Sequence, residues 1–501
     1  MQGFTYIDLV ILIVYLAAVL FAGLHFAKKE MKGKEYFKGD GTVPWWVTSV
    51  SIFATLLSPI SFLSLAGNSY AGTWIMWFAQ LGMLLAIPLT IKFFLPIYSK
   101  LDIDTAYHYL ELRFGSKGLR VLGAVMFIVY QIGRMSIIMY LPCMVLGSLT
   151  GINVNLLIII MGVIAIIYSY TGGLKSVLWT DFIQGSVLLI GVTFALIFLL
   201  VHLDGGIESI FQAFATEHKF LAVDQPIFNP NILKDSVFIM IVGAGFNTMG
   251  SYVSSQDIVQ RFTTTTDTKK LNKMMLTNGA LSIFIATVFY LIGTGLFVFY
   301  KQNALPPAAA QDQIFASYIA FELPVGVTGL LLAAIYAAAQ STLSTGLNSV
   351  ASSWTLDIQS SLSKKELGFE KETKIGQRVS LIVGIFAIVV AMVLANGGVK
   401  SAYEWFNGFM GLVLGILIGT FILGAFTKVA NTFGAVAAFI ASSAVMVYIK
   451  YFVPADKVTI WSYSIISIVV SLVIGIPASI IWRKVKGDKS VPAPNTTIFK
   501  N

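Results

Sequence analysis

Apolar runs long enough to cross a bilayer recur thirteen times along these 501 residues, and that repetition limits the fold more than any other feature. About 20 apolar residues of helix cover about 30 Å of hydrocarbon. The runs are roughly Tyr6–His25, Trp45–Tyr70, Trp74–Tyr98, Leu119–Leu149, Ile152–Tyr170, Phe182–His202, Ser236–Val253, Met275–Tyr300, Gly326–Asp357, Val379–Leu394, Tyr403–Ile422, Thr432–Phe452 and Val458–Trp482. The chain is 57% hydrophobic and 11% charged, against about 25% charged in soluble domains. Mean hydropathy is +0.82. A water-soluble fold of this length could not hide that much apolar surface. The expectation is an all-α integral membrane protein with about 13 transmembrane helices, residues 1–501 forming one transmembrane unit.

The net charge of +9 suggests a nucleic-acid partner until its placement is considered. Of 33 Lys and Arg residues, 25 fall in loops on one side of the thirteen runs and 6 on the other, with Lys92 and Arg134 inside runs. Basic residues mark the cytoplasmic side. The N-terminus is then outside, the C-terminus is cytoplasmic, and the location is the cell's inner or plasma membrane with lipid as the surrounding partner. No nucleic acid is expected. Trp45, Trp46, Tyr300, Tyr403 and Trp482 fit interfacial belts. The first run has no basic n-region or Ala-x-Ala site, so it reads as a retained span rather than a signal peptide. Cys143 is the single cysteine, which rules out an internal disulfide or a cysteine-based metal site. His25, His108, His202 and His218 show no ligand spacing. With no Walker-type loop, direct use of ATP by this chain is not expected. Residues 485–501 read as a flexible cytoplasmic tail.

Polar groups at membrane depth need a reason. The second run contains Ser51-Ile52-Phe53-Ala54-Thr55-Leu56-Leu57-Ser58-Pro59-Ile60-Ser61. Pro59 breaks a helix there, and the freed carbonyls either find a neighbouring helix or line a cation site. In the ninth run Ser341, Ser344, Thr345, Asn348 and Ser352 share one helical face. Small-residue packing explains one or two of them; five on a stripe favour a hard-cation site. Arg134 lies mid-span, where an ionisable group marks a functional site by default. Its planar fork suits a carboxylate on a substrate. The other reading is a structural salt bridge, although no acidic residue lies near mid-depth in these runs. Asp181 either holds a cation or caps a helix start. Lys92 reads as snorkelling. Gly243, Gly245 and Gly250 predict an unwound stretch in the seventh run, five runs after the second. Matched interruptions of that kind indicate an inverted repeat.

These residues resemble a known family, the sodium/solute symporters. The most specific stretch is Tyr170-Thr171-Gly172-Gly173-Leu174-Lys175-Ser176-Val177-Leu178-Trp179-Thr180-Asp181-Phe182-Ile183-Gln184-Gly185, and Ser255 to Arg261 and Ala337 to Ser349 match as well. The resemblance covers about Tyr6 to Phe452. It implies a LeuT-like fold with two inverted five-helix repeats. The preceding helix would be 5–27, the repeats 43–202 and 236–422, and two further helices would occupy 427–484. It also implies a first sodium site from the carbonyls of Ala54, Leu57 and Ala338 with the hydroxyls of Ser341 and Thr342. Thr342 stands where Ser is usual but keeps the oxygen. A second sodium site is implied at Asp181, Ser341, Ser344 and Thr345.

Phe53-Ala54-Thr55 through Ser61, Gln80, and Gln131-Ile132-Gly133-Arg134 are similar to the bacterial sodium-coupled sialic acid symporters. That implies Arg134 on the carboxylate of a small sugar acid, with Ser58, Ser61 and Gln80 as further substrate contacts. Leu56 stands where Thr is expected and Pro59 where Ser is expected, which changes the hydroxyls offered to the substrate. The expected function is sodium-driven import of sialic acid (N-acetylneuraminate) by alternating access, with two co-transported sodium ions and a monomeric working unit. Proline, pantothenate or a neutral sugar are the rival cargoes. An enzyme would need a His, Asp or Glu cluster at membrane depth, and the runs supply none.

Overall fold

The computed structural model describes residues 5–27, 34–39, 41–303, 313–363, 368–397, 402–454, 456–487 and 491–499. Every regular element among them is a helix. Ten are long and apolar enough to cross a membrane, and one bent pair makes an eleventh. Val154–Ile167 and Val413–Phe426 are apolar but shorter. Each expected run therefore coincides with a helix, while ten or eleven spans stand where thirteen were expected.

α1 (Tyr6–Ala27) and the short α2 (Lys34–Lys38) precede α3 (Trp45–Leu56) and α4 (Pro59–Ala71). The last two are halves of one span bent by 64°. A residue before proline is driven out of the helical region, and Ser58 sits at φ −101°, ψ 162°. Leu57 has already left it, at φ −85°, ψ 111°. Pro59 then opens α4, where its missing amide costs nothing, and Ser58 Oγ caps the new helix by accepting from the Ser61 amide at 3.3 Å.

The third span starts as a tight 3-10 helix, Trp74–Gly82, and continues through α5 (Met83–Leu89), a π turn and α6 (Leu95–Leu101). α7 (Ala106–Phe114), α8 (Lys117–Thr150) and α9 (Val154–His202) follow. Gly173, at φ 54°, divides α9 into the expected fifth and sixth spans. A Cβ there would lie 2.6 Å from the Tyr36 carbonyl oxygen, so the position requires glycine on both counts.

α10 (Gly206–Thr216) lies in the long loop. α11 (Val237–Ser254) and α12 (Gln256–Phe262) meet at Ser255, φ −92°, ψ 116°, nearly the geometry of Leu57. The unwound stretch expected at Gly243 to Gly250 is instead regular helix. Its glycines permit close approach: a Cβ on Gly243 would stand 2.0 Å from the Trp461 carbonyl oxygen. The break itself falls five residues beyond Gly250. α13 (Thr268–Gln302), α14 (Ile314–Phe321), α15 (Val327–Ser352), α16 (Ser360–Leu362), α17 (Phe369–Asn396), α18 (Ala402–Phe426), α19 (Thr432–Phe452) and α20 (Tyr463–Lys486) complete the order.

α15 is the axis of the bundle. The apolar window of its span is 89% buried, against 28% for α1 and for the last span. It packs most extensively along α9. At its start, Asp8 of α1 accepts from the Gly326 and Gly329 amides at 2.8 Å each, capping the helix from another element.

The tail is not loose over residues 491–499. The Tyr109 hydroxyl donates to the Thr496 carbonyl at 3.0 Å and the Ile498 amide to the Ala425 carbonyl at 3.0 Å, with Thr496 and Thr497 buried. The basic residues Lys28, Lys29, Lys32, Lys364, Lys365, Lys400, Lys489 and Lys500, and the side chain of Tyr403, lie outside the described residues. Arg113, counted with the loop charges, is buried and closes the end of α18 by donating to the Gly424 and Thr427 carbonyls.

Candidate functional site: a cavity at the broken helices

The break between α3 and α4 faces α15. Ser341 Oγ donates to the Ala54 carbonyl at 3.1 Å and the Ala338 carbonyl at 3.2 Å, and Thr342 Oγ1 donates to the Ala338 carbonyl at 3.0 Å. Four of the five residues expected at the first cation site thus form one buried oxygen cluster. The fifth, Leu57, is the residue at which the helix stops. α3 points the negative end of its dipole into the cluster.

A cavity of about 220 Å³ opens beside this break. Ser58, Ser61 and Gln80 line it, together with Leu56 and Leu57. The opposite wall comes from α11 and the start of the last span, with Asn247, Thr248, Ser251 and Trp461. Sequence reasoning missed these four. Asn247 and Thr248 lie inside the glycine-rich stretch, whose glycines had drawn attention to the backbone rather than to the polar groups between them. The wall pairs apolar area with a few polar groups that orient a ligand, as small-molecule sites do.

Arg134 is not a lining residue of the cavity. It is 5% exposed and stands behind the break, donating through Nη2 to the Thr55 carbonyl at 2.6 Å. The expectation that no acid would be near it is wrong. Its Nη1 lies 2.6 Å from Asp257 Oδ2. Asp257 follows the last hydropathic residue of its run, so it reads as a loop residue until the second half-helix, α12, turns it back into the core.

Asp181 is fully buried two turns beyond Gly173 and inside α9, so it is not a helix cap. Its Oδ2 accepts from Ser51 Oγ at 2.6 Å and from Thr345 Oγ1 at 3.1 Å; Oδ1 accepts from Ser344 Oγ at 3.3 Å. Asp181, Ser344 and Thr345 therefore meet as expected, and the Ser344 hydroxyl also reaches the Ser341 carbonyl at 3.1 Å. A further partner was not foreseen. Arg261 Nη2 lies 2.7 Å from Asp181 Oδ2 and 2.5 Å from Thr345 Oγ1. Arg261, counted above among loop cations, is fully buried. The polar stripe continues to Asn348 and Ser352, which accept from Gln260 and Gln256 of α12 at 2.7 and 3.3 Å.

On the far side of α12, Arg120 Nε donates to Asp357 Oδ1 at 2.7 Å and Nη1 to Glu111 at 2.8 Å, and the Ala106 amide donates to Gln256 at 2.8 Å. α7, α8 and α12 are tied together there.

The model of the sodium:solute symporter family matches residues 36–442. The chain belongs to the sodium:solute symporter family. This chain is 35% identical over 453 residues to the sodium/sialic acid symporter SiaT of Proteus mirabilis, covering 90% of this chain and 91% of the relative. It is 30% identical to the sodium/sialic acid symporter NanT of Aliivibrio fischeri, over 95% of this chain and 93% of that one. Among solved structures, a sodium-coupled sialic acid symporter in a substrate-bound, outward-open state superposes with a TM-score of 0.88 at 34% identity, covering 95% of this chain and 98% of the other. The symporter has the LeuT-like fold that the sequence led us to expect.

Proposed function

We propose that this chain is a sodium-driven symporter that imports N-acetylneuraminate by alternating access, and that it is a carrier rather than an enzyme. The observation that supports this most directly is the adjacency of two features. An oxygen cluster built by Ala54, Ala338, Ser341 and Thr342 sits at the same helix break whose residues Ser58 and Ser61 line the cavity. Two relatives whose names specify sodium and sialic acid match over nearly the whole length.

In this reading the first sodium ion takes the carbonyls of Ala54, Leu57 and Ala338 and the hydroxyls of Ser341 and Thr342. Hard oxygens suit a hard cation that must leave again. The second sodium ion takes Asp181, Ser341, Ser344 and Thr345. The sugar acid lies in the cavity with its hydroxyl and acetamido groups on Ser58, Ser61 and Gln80. Its carboxylate pairs with Arg134, whose neighbour Thr55 adjoins the cavity residue Leu56. Sodium at the break orders the half-helices that carry the serines, so each ligand strengthens the other.

The near-equal backbone geometry of Leu57 and Ser255, in the second and seventh spans, supports inverted repeats at 43–202 and 236–422. Helix 5–27 would precede them and 427–484 follow. We place the symporter in the plasma membrane as a monomer with its N-terminus outside.

Proteoliposomes loaded without sodium test the function. Labelled N-acetylneuraminate should accumulate with an inward sodium gradient and not with choline in its place. Uptake indifferent to sodium would overturn the coupling. Pantothenate, proline or glucose competing as well as unlabelled N-acetylneuraminate would overturn the cargo.

A further inference from the structure

Two of the buried ion pairs in the core share one short element. Asp257 and Arg261 are both on α12, one helical turn apart and both buried. Asp257 reaches across to Arg134 at 2.6 Å, and Arg261 to Asp181 at 2.7 Å. Arg134 and Asp181 are the two charged groups that the functional reading reserves for the substrate carboxylate and the second sodium ion. Each is thus occupied by a side chain of the same sign as its ligand: a carboxylate on Arg134, a cation on Asp181. Arg261 also bonds Thr345 and Ser51, so it holds two of the oxygens, Asp181 Oδ2 and Thr345 Oγ1, that the ion would use.

We propose that α12 is a two-headed stand-in for the ligands, with Asp257 releasing Arg134 to the sugar acid's carboxylate and Arg261 releasing Asp181 to the second sodium ion. This inference rests on the proposed roles of Arg134 and Asp181. Charge accounting gives it a mechanism for coupling. Like charges repel strongly where water is excluded, so a sodium ion on Asp181 drives the guanidinium away, and a sugar carboxylate on Arg134 drives Asp257 away. A single ligand leaves one released charge without a partner, because the other head is still held. Both ligands together free an acid and a base spaced i,i+4, the spacing and order at which they neutralise each other on a helix. Arg261 Nη1 already donates to the Asp257 backbone carbonyl, so the guanidinium needs only a short swing to reach that side chain. Counting these four side chains, the substrate and the second sodium ion, doubly loaded and doubly empty states are then both neutral and singly loaded states are not; the first sodium ion, held by uncharged oxygens, adds its charge separately. That is the pattern a symporter requires, and the coupling is reciprocal by thermodynamic necessity.

α12 is also joined to the rest of the fold at its other residues. Gln256 accepts from the Ala106 amide, and Gln260 donates to Phe37 and Asn348. Release of the two charged heads frees the second half-helix of the seventh span from α3, α8 and α9, and leaves Gln256 and Gln260 as its side-chain ties to α2, α7 and α15.

The test measures sodium binding to the purified full-length protein with and without saturating N-acetylneuraminate, choline keeping ionic strength constant. The ratio of the two half-saturating sodium concentrations is the coupling factor. Asp257→Asn/Arg261→Gln should bind each ligand alone more tightly than the natural sequence and lower the coupling factor by about tenfold, leaving only the part carried through the helix break. A coupling factor within twofold of the natural one would overturn the proposal. So would loss of N-acetylneuraminate binding in Asp257→Asn at unchanged thermal stability, since Asp257 would then be needed by the loaded state. Two controls separate this from failure of the underlying reading: Arg134→Ala with unchanged N-acetylneuraminate affinity would refute the carboxylate site, and Asp181→Asn with unchanged sodium binding would refute the second ion. A measurement without mutations covers variants that do not fold. Amide hydrogen exchange over 256–262 should quicken when both ligands are added together and change little with either alone; unchanged or slower exchange in the doubly loaded protein would refute the release.

Discussion

Thr342 carries a sharp distinction between packing and ligation. Its hydroxyl bonds the Ala338 carbonyl at 3.0 Å one turn back in its own helix, a bond that hydroxyl residues in membrane helices often make for themselves. If the oxygen also ligates sodium, Thr342→Ser keeps function and Thr342→Ala does not. We expect the half-saturating sodium concentration for uptake to rise about tenfold in Thr342→Ala, the effect of losing about 1.4 kcal/mol of binding, with Thr342→Ser within twofold of the natural residue. An alanine variant with unchanged sodium dependence would remove Thr342 from the site. At this scale the cluster of buried oxygens was legible, because a hydroxyl in hydrocarbon is conspicuous. The partners of the charged residues were not. Asp257 and Arg261 follow the hydropathic part of the seventh span and look like loop residues. Only the chain's return into the core through α12 pairs them with Arg134 and Asp181.

Elements were legible where a residue type dictates the backbone and illegible where it merely permits an approach. Pro59 announces a break that occurs at Leu57 and Ser58, because proline excludes the helical region from the residue before it. The glycines of α11 suggested unwinding, yet they stay helical and let Trp461, Gly82 and Ile418 come close. The real interruption at Ser255 has neither glycine nor proline to signal it. Gly173 is the contrary case: with φ at 54° and the Tyr36 carbonyl against its Cα, it has no substitute. Gly173→Ala should destabilise the protein by about 1–3 kcal/mol from the backbone alone, since φ 54° with ψ −161° is open essentially to glycine, seen as a lower thermal midpoint in detergent, while Gly118→Ala, where a Cβ would meet only Ser116 Oγ at 3.6 Å, should cost less than half as much. Equal effects at the two positions would show that the division of α9 does not depend on the conformation of Gly173.

For the whole molecule, hydropathy found the apolar helices among the described residues, counting as spans two that are shorter, but could not say which ones lie inside. That ordering comes from packing: α15 is enclosed by its neighbours, whereas α1 and the last span face outward along most of their length. The tail shows a second limit. Its Pro-Ala-Pro composition reads as disordered, but Thr496 and Ile498 find partners on Tyr109 and Ala425, residues nearly 400 positions away in one case and about 70 in the other, which no local pattern encodes. Truncation after Gly487 should therefore lower the thermal midpoint by a few degrees, consistent with the loss of about 1 kcal/mol per buried hydrogen bond in a chain of this size. An unchanged midpoint would mean that the docked segment contributes nothing to the fold.

The cap that Asp8 places on α15 also sets a timetable. Gly326 and Gly329, the partners of Asp8, leave the ribosome 318 and 321 positions after it. At about 5–20 residues per second, a delay of some tens of seconds separates them. Until then α1 waits in the bilayer with its own Thr5 as company for the carboxylate. α1 is consequently locked onto α15 only after the helices between them in the chain have been made.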